Sequence, residues 1–261
     1  MTQTPKLVNV TREGAVAVLQ LNRPAAFNAL DMPMAQAFHE AVHAVAADTS
    51  MRAVVLCGAG RCFGVGGDLA AMQHDAAPVA RALIDALHTS LLRLAEMDAP
   101  VIASLHGAVA GGSMSLALGA DLAMAAEGTS FNLAYGRIGA NCDVGGSWHL
   151  PRLVGLRRAM QIALLSESLS AQEALQLGLV NRVVPADELG LETMALAQRL
   201  AHGPTLAYGR MKRLLRQSFE NDLVTQLNAE REAFCTGAAT HDFREGVAAF
   251  LGKRAAVFEG R

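Results

Sequence analysis

The stretch that most limits what this chain can become runs from Pro100 to Asp121, PVIASLHGAVAGGSMSLALGAD. An apolar run breaks at Gly107 and restarts behind Gly111-Gly112 with small, helix-compatible residues, the pattern of a strand feeding a helix N-terminus. The first turn of such a helix carries N–H groups with no intrahelical partner and the positive end of the helix dipole. Glycine there lets a ligand approach the backbone, so the stretch suits a phosphate, a carboxylate or an oxyanion that develops during a reaction.

Similar units surround it. Leu7 to Leu21 alternates about Glu13-Gly14 as a hairpin that ends at Asn22-Arg23-Pro24. A helix then starts with Asp31 as N-cap and Pro33 in its first turn, with Met34, Phe38, Val42 and Val45 on one apolar face. A buried strand, Ala53 to Cys57, leads into a glycine-rich segment, 58–72, whose Gly66-Gly67-Asp68 predicts a second strand-to-helix opening. Helix 79–97 and strand 122–126 continue the alternation. AVAVLQLN, AVVLCGAG and PVIASLHG each end on a polar or glycine turn before a helix, which makes the chain α/β with a coiled stack of similar turns.

Beyond Gly155 the pattern turns helical. Ser170 and Glu173 form a capping box, Gly178 suits a C′ position, and Leu179 to Val184 is a last strand. From Asp187 onward the spacing predicts four helices, two of them divided at Gly203-Pro204 and the last capped around Asp242-Phe243-Arg244-Glu245. The chain divides into a core, 1–200, and a helical oligomerisation region, 201–261.

With 52% apolar and 18% charged residues in a 261-residue chain, there is material for one large or two small cores. A net charge of −2 without a Lys/Arg run argues against nucleic acid or anionic lipid as partners. The N-terminus lacks the apolar core of a signal peptide and no apolar run approaches membrane-spanning length, so the expectation is a cytoplasmic protein acting on small molecules. Cys57, Cys62, Cys142 and Cys235 form no C-x-x-C pair and read as reduced, mostly buried thiols.

Three short motifs compete for attention. His39-Glu40-Ala41-Val42-His43 matches the zinc-peptidase H-E-x-x-H, but no third ligand follows at a suitable spacing, and no metal is expected. Gly58-Ala59-Gly60 lacks the third glycine of a dinucleotide loop, and Gly111 to Ser115 lacks the last glycine of a nucleophile elbow. What remains is the pair Gly67 and Gly112. Two backbone N–H groups converging on one carbonyl oxygen would form an oxyanion hole, each donor worth roughly 3 kcal/mol in a transition state. The plain alternative is that both glycines serve only tight strand–helix packing.

LNRPAAFNAL (Leu21 to Leu30), AVVLCGAGRCFGVGGDL (Ala53 to Leu69), the Pro100 to Asp121 stretch and IGANCDVGGSWHLPRLVG (Ile138 to Gly155) together resemble the enoyl-CoA hydratase/isomerase, or crotonase, superfamily over nearly the whole chain. The resemblance implies a crotonase-like spiral of ββα repeats, a helical C-terminal trimerisation region giving a homotrimer or dimer of trimers, and an acyl-CoA thioester substrate with no permanently bound cofactor. It places the thioester oxygen between Gly67 and Gly112, and the nucleotide contacts at Ala25, Ala26 and Phe27 and at Gly67, Asp68 and Leu69.

The departures carry as much information. The two glutamates that hold water in the family's hydratases fall at Ser115 and Tyr135. Hydroxyls cannot replace a carboxylate pair for adding water near neutral pH. Asp143 remains, where the resemblance implies the proton shuttle of isomerases, notably the ring-opening isomerases of phenylacetate breakdown, whose C-terminal ending is also similar. A thioester enolate held at the two glycines would let one carboxylate remove a proton at one carbon and return it at another. Asp143 read plainly is a loop cap or ion-pair partner. His88 reads either as a packed helix-face histidine or, by resemblance to 4-chlorobenzoyl-CoA dehalogenases, as a base that assists a nucleophilic Asp143. Hydration and a CoA-binding subunit without catalysis complete the alternatives.

Overall fold

The computed structural model describes residues 6–261. β1 (Val8–Glu13) and β2 (Val16–Leu21) pair antiparallel as the expected hairpin, Val8 opposite Leu21. The Asp31 carboxylate accepts the Met34 N–H and opens α1 (Met32–Ala47), which buries Met34, Phe38 and Val42. β3 (Ala53–Gly58) lies parallel to β2, and α2 (Ala76–Glu96) packs against α1. β4 (Val101–Leu105) then enters the same sheet.

At Gly107 the chain turns out of that sheet with φ +59, where a Cβ would run into the backbone of Arg61 and Cys62. β5 (Ala108–Ala110) belongs to a second sheet and leads directly into α3 (Gly111–Leu118), every residue of which is buried. β6 (Leu122–Ala126) returns to the first sheet, β7 (Ser130–Asn132) to the second, and α4 (Gly146–Val154) and α5 (Leu156–Leu165) follow. β8 (Leu169–Ser170), α6 (Ala171–Gln176) and β9 (Arg182–Val184) close the core.

The large sheet has the order β1-β2-β3-β4-β6-β9, parallel from β2 onward, and the small one β5-β7-β8. β4–β5–α3 and β6–β7–α4 each place one strand in either sheet and then a helix, which is the coil of ββα turns the sequence predicts. The apolar interior, with Leu19, Leu56, Phe63, Leu105 and Met114, lies under α1 and α3.

Four helices do end the chain: α7 (Leu189–Ala201), α8 (Thr205–Gln217), α9 (Leu223–Ala238) and α10 (His241–Leu251). α8 docks on the core through Asp121, whose carboxylate meets Lys212 Nζ at 2.7 Å and Arg216 Nη2 at 2.9 Å. Between α8, α9 and α10 lies an apolar groove of about 920 Å3 lined by Met211, Leu214, Phe234, Phe243 and Phe250, remote from Asp143. No helix among the described residues is long and apolar enough to cross a membrane.

Several local expectations need correction. The helical region begins at Gly146, not after Gly155, and Gly155 only divides α4 from α5. The last strand holds three residues, because Leu179 and Val180 are spent on the turn that follows α6. Thr240, not Asp242, caps α10 through the Phe243 N–H. The buried Asp242 carboxylate accepts the N–H groups of Glu259 and Gly260 instead and ties down the chain end. Of the four thiols only Cys62 is buried, and Cys235 is exposed in the C-terminal helices.

Candidate active site

Gly112 is the second residue of α3, so its N–H belongs to the first turn and has no acceptor among the described residues. Gly67 arrives differently from expectation. It does not open a helix, because Asp68 takes the cap: its Oδ1 accepts the Ala70 N–H and the short 3₁₀ turn spans Leu69–Met72. Gly67 lies instead in a parallel bridge opposite Leu30. That bridge uses Gly66 O and Asp68 N, leaving the N–H of Gly67 itself turned away and without an acceptor among the described residues. Two glycine N–H groups are therefore available, one by helix geometry and one by strand alternation.

The two loops are joined closely. The Gly66 N–H donates to the buried Ser113 Oγ at 3.0 Å, and Gly66 adopts φ +93 with its backbone against Gly112. Ser113 is a contributor that sequence reasoning missed, because a serine inside a run of small helix residues carries no separate signal.

Asp143 reaches the same place from the loop before α4. A Cβ on Gly112 would stand 3.4 Å from Asp143 Oδ1 and 3.8 Å from the Tyr135 hydroxyl. Tyr135 donates to Asp143 Oδ1, and Ser115 Oγ lies 3.0 Å from the Tyr135 oxygen. Of the two positions singled out in the sequence only as lost glutamates, Tyr135 is thus the partner of the retained carboxylate and Ser115 the partner of Tyr135. The loop that presents Asp143 contains Val144 at φ +50, a left-handed backbone costly for a β-branched residue, of order 1–3 kcal/mol, and of the kind that clusters at functional sites.

Burial pushes the Asp143 carboxyl above the usual carboxylate range, while the Tyr135 hydrogen bond and, more weakly, His88 pull it back. Burial and the adjacent Asp143 charge push the Tyr135 phenol far up, so it stays protonated. His88 is exposed on α2, not packed among apolar neighbours.

The loop with Ala25, Ala26 and Phe27 is held against the 67–69 segment by Arg23, whose guanidinium meets Asp68 at 2.7 Å and Asp31 at 3.3 Å. Buried Asn28 donates to the carbonyls of Ala59, Cys62 and Phe63 and accepts the Arg23 N–H, so Gly58-Ala59-Gly60 is closed against Pro24 and offers no pyrophosphate cradle. Phe27 stays 43% exposed with the Arg61 guanidinium 5.0 Å from its ring centre. Leu69 is exposed as well. His39 bonds Thr89 at 3.0 Å, and no cluster of three metal-ligating side chains exists among the described residues.

Residues 11–261 match the enoyl-CoA hydratase/isomerase family model. The chain belongs to the enoyl-CoA hydratase/isomerase family. It is 37% identical to 1,2-epoxyphenylacetyl-CoA isomerase of Escherichia coli K12, over 95% of this chain and 97% of that one. It is 39% identical to 2,3-dehydroadipyl-CoA hydratase of the same organism, over 97% and 98%. Among solved structures, an enoyl-CoA hydratase subunit from Geobacillus kaustophilus superposes with a TM-score of 0.91 at 35% identity, covering 98% of both chains. One from Polaromonas sp. JS666 gives 0.91 at 34% identity, over 97% and 99%. The fold is the crotonase fold, and family membership makes the chain an acyl-CoA enzyme. Relatives of both reaction types stand at similar identity.

Proposed function

We propose that this enzyme isomerises an acyl-CoA thioester, shifting a double bond or opening a strained ring, through an enolate whose oxygen is bound by the N–H groups of Gly67 and Gly112. Asp143 removes the proton at one carbon and returns it at another. The observation that carries this reading is that the Asp143 carboxylate stands beside Gly112, with the Tyr135 hydroxyl bound to it and the Ser115 hydroxyl bound to Tyr135. The hydratases that the sequence resembles divide the base and acid roles of water addition between two carboxyls, whereas proton transfer between two carbons of one substrate needs only one.

Catalysis by one positioned carboxylate is worth about 10²–10⁴-fold, and each oxyanion donor roughly 3 kcal/mol. The nucleotide end of the thioester is assigned to Ala25, Ala26 and exposed Phe27 with Asp68 and Leu69, a surface already ordered by Arg23. Residues 201–261 are assigned to contacts within a homotrimer or dimer of trimers. In support, Phe250 is 82% and Phe234 68% exposed on the single chain, and such an apolar face calls for cover. Sedimentation as a monomer at micromolar concentration would remove that part.

The decisive experiment is Asp143→Asn assayed on 2-enoyl- and 3-enoyl-CoA substrates, with crotonyl-CoA hydration measured beside it. Isomerisation by the native enzyme, lost about 10³-fold in the variant, is the expected result. Efficient hydration of crotonyl-CoA, or full turnover by Asp143→Asn, overturns it. Exposed His88, whose charge acts on Asp143, favours one other chemistry, attack by the carboxylate followed by hydrolysis. Oxygen-18 from water appearing in Asp143 after a single turnover identifies that route.

A further inference from the structure

We infer that Ser115 and Tyr135 form a one-way hydroxyl relay that caps Asp143 Oδ1 and holds the carboxylate in place as the base. Tyr135 is thus a positioning residue for the reaction. The inference rests on Asp143 being the acid/base.

The direction of the relay follows from counting protons. A phenol has one, and Tyr135 gives it to Asp143 Oδ1. The Ser115 hydroxyl, 3.0 Å from the Tyr135 oxygen, must therefore donate to it. Ser115 is wholly buried and Tyr135 half-buried, which keeps the Ser115 hydroxyl away from water. No other side chain among the described residues donates to Oδ2. The phenol also stands beside Gly112, 3.8 Å from where a Cβ on that glycine would sit.

In the first half-reaction the substrate C–H bond breaks, its proton bonds to the Asp143 carboxylate, and the electron pair moves into the enolate held by Gly67 and Gly112. In the second, that O–H bond breaks and the same proton forms a C–H bond at the other carbon. Both steps occur on one face of the substrate.

Tyr135→Phe tests the relay. The titratable groups acting on Asp143 are Tyr135 from the 3₁₀ turn Tyr135–Ile138, His88 from α2 and the adjacent Cys142, and only the first is removed. Tyr135 holds the carboxyl down, so its loss raises the Asp143 pKa. The base must be ionised to act, so the acid limb of kcat/KM moves to higher pH. Activity lost at neutral pH returns toward the native plateau as pH rises. Ser115→Ala shifts the limb in the same direction by less, and carries the same readout if Tyr135→Phe does not fold. A pH-independent loss, with the limb in its native position in whichever variant folds, overturns the relay. Failure of the underlying assignment is distinguishable, because Asp143→Asn would then remain active.

Discussion

Gly66 and Gly112, far apart in sequence, touch backbone to backbone: a Cβ on Gly66 would stand 2.8 Å from the Gly112 nitrogen. That approach sets the separation of the two free N–H groups, since Gly67 follows Gly66 directly. The two glycines therefore have opposite sensitivities. Gly66→Ala is strained twice, by φ +93 and by the collision, and is expected to lower stability by about 1–3 kcal/mol or more in urea unfolding. At Gly112 an added methyl meets Asp143 and Val144 at 3.4 and 3.5 Å, ordinary contact distances. Gly112→Ala should fold with native stability and lose about 10²-fold or more in kcat, because the methyl fills the space between the N–H and the carboxylate. A Gly112→Ala enzyme with unchanged kcat would dissociate that glycine from the chemistry.

Arg23 joins the 25–27 loop to the 67–69 segment through Asp68 and also bonds Ala29 O at 3.2 Å. Arg23→Ala frees the proposed nucleotide surface without touching Asp143. The expected outcome is a KM for the CoA thioester raised about 10-fold, equivalent to ~1.4 kcal/mol, with kcat changed far less. Equal loss in kcat and kcat/KM would show that the clamp shapes the oxyanion site instead.

Asp121 is the buried anchor of α8. It bonds Lys212 and Arg216 and accepts the Val101 N–H at 2.8 Å, while Lys212 also donates to Leu94 O and Ala99 O. Burial lowers the Lys212 pKa and the Asp121 charge opposes that. Asp121→Asn strands two cations near the interior, and the cost of breaking such a pair is about 3–5 kcal/mol. Thermal melting should show it as a large fall in Tm, with kcat of the folded fraction preserved. A Tm within a degree or two of native would mean water enters and solvates the cations.

Local signals survived the comparison well where one residue's chemistry acted on its immediate neighbours. Asp31 caps α1, and Ser170 and Glu173 form the reciprocal box, because side chain and backbone partner lie within one turn. Gly112 was legible for the same reason. The pattern at Gly67 predicts a helix opening, but Asp68, one residue on, is the stronger cap. The apolar spacing of α2 leaves His88 open between a packed histidine and a base; Leu83 and Leu87 meet the core, while His88 is exposed.

The sequence by itself determined the alternation of strands and helices, the caps, and the identity of the groups available: two glycines, one aspartate and no paired glutamates. These follow from hydrogen bonding and hydrophobic periodicity over a few residues. Only the tertiary structure decided that the Tyr135 proton belongs to Asp143, that Ser113 stitches Gly66 to α3, and that Gly67 is freed by a strand bridge to Leu30. Those contacts depend on left-handed turns at Ala134 and Val144 and on the stacking of two sheets. Such geometry is paid for by burial of the whole core, so no short stretch of the sequence encodes it.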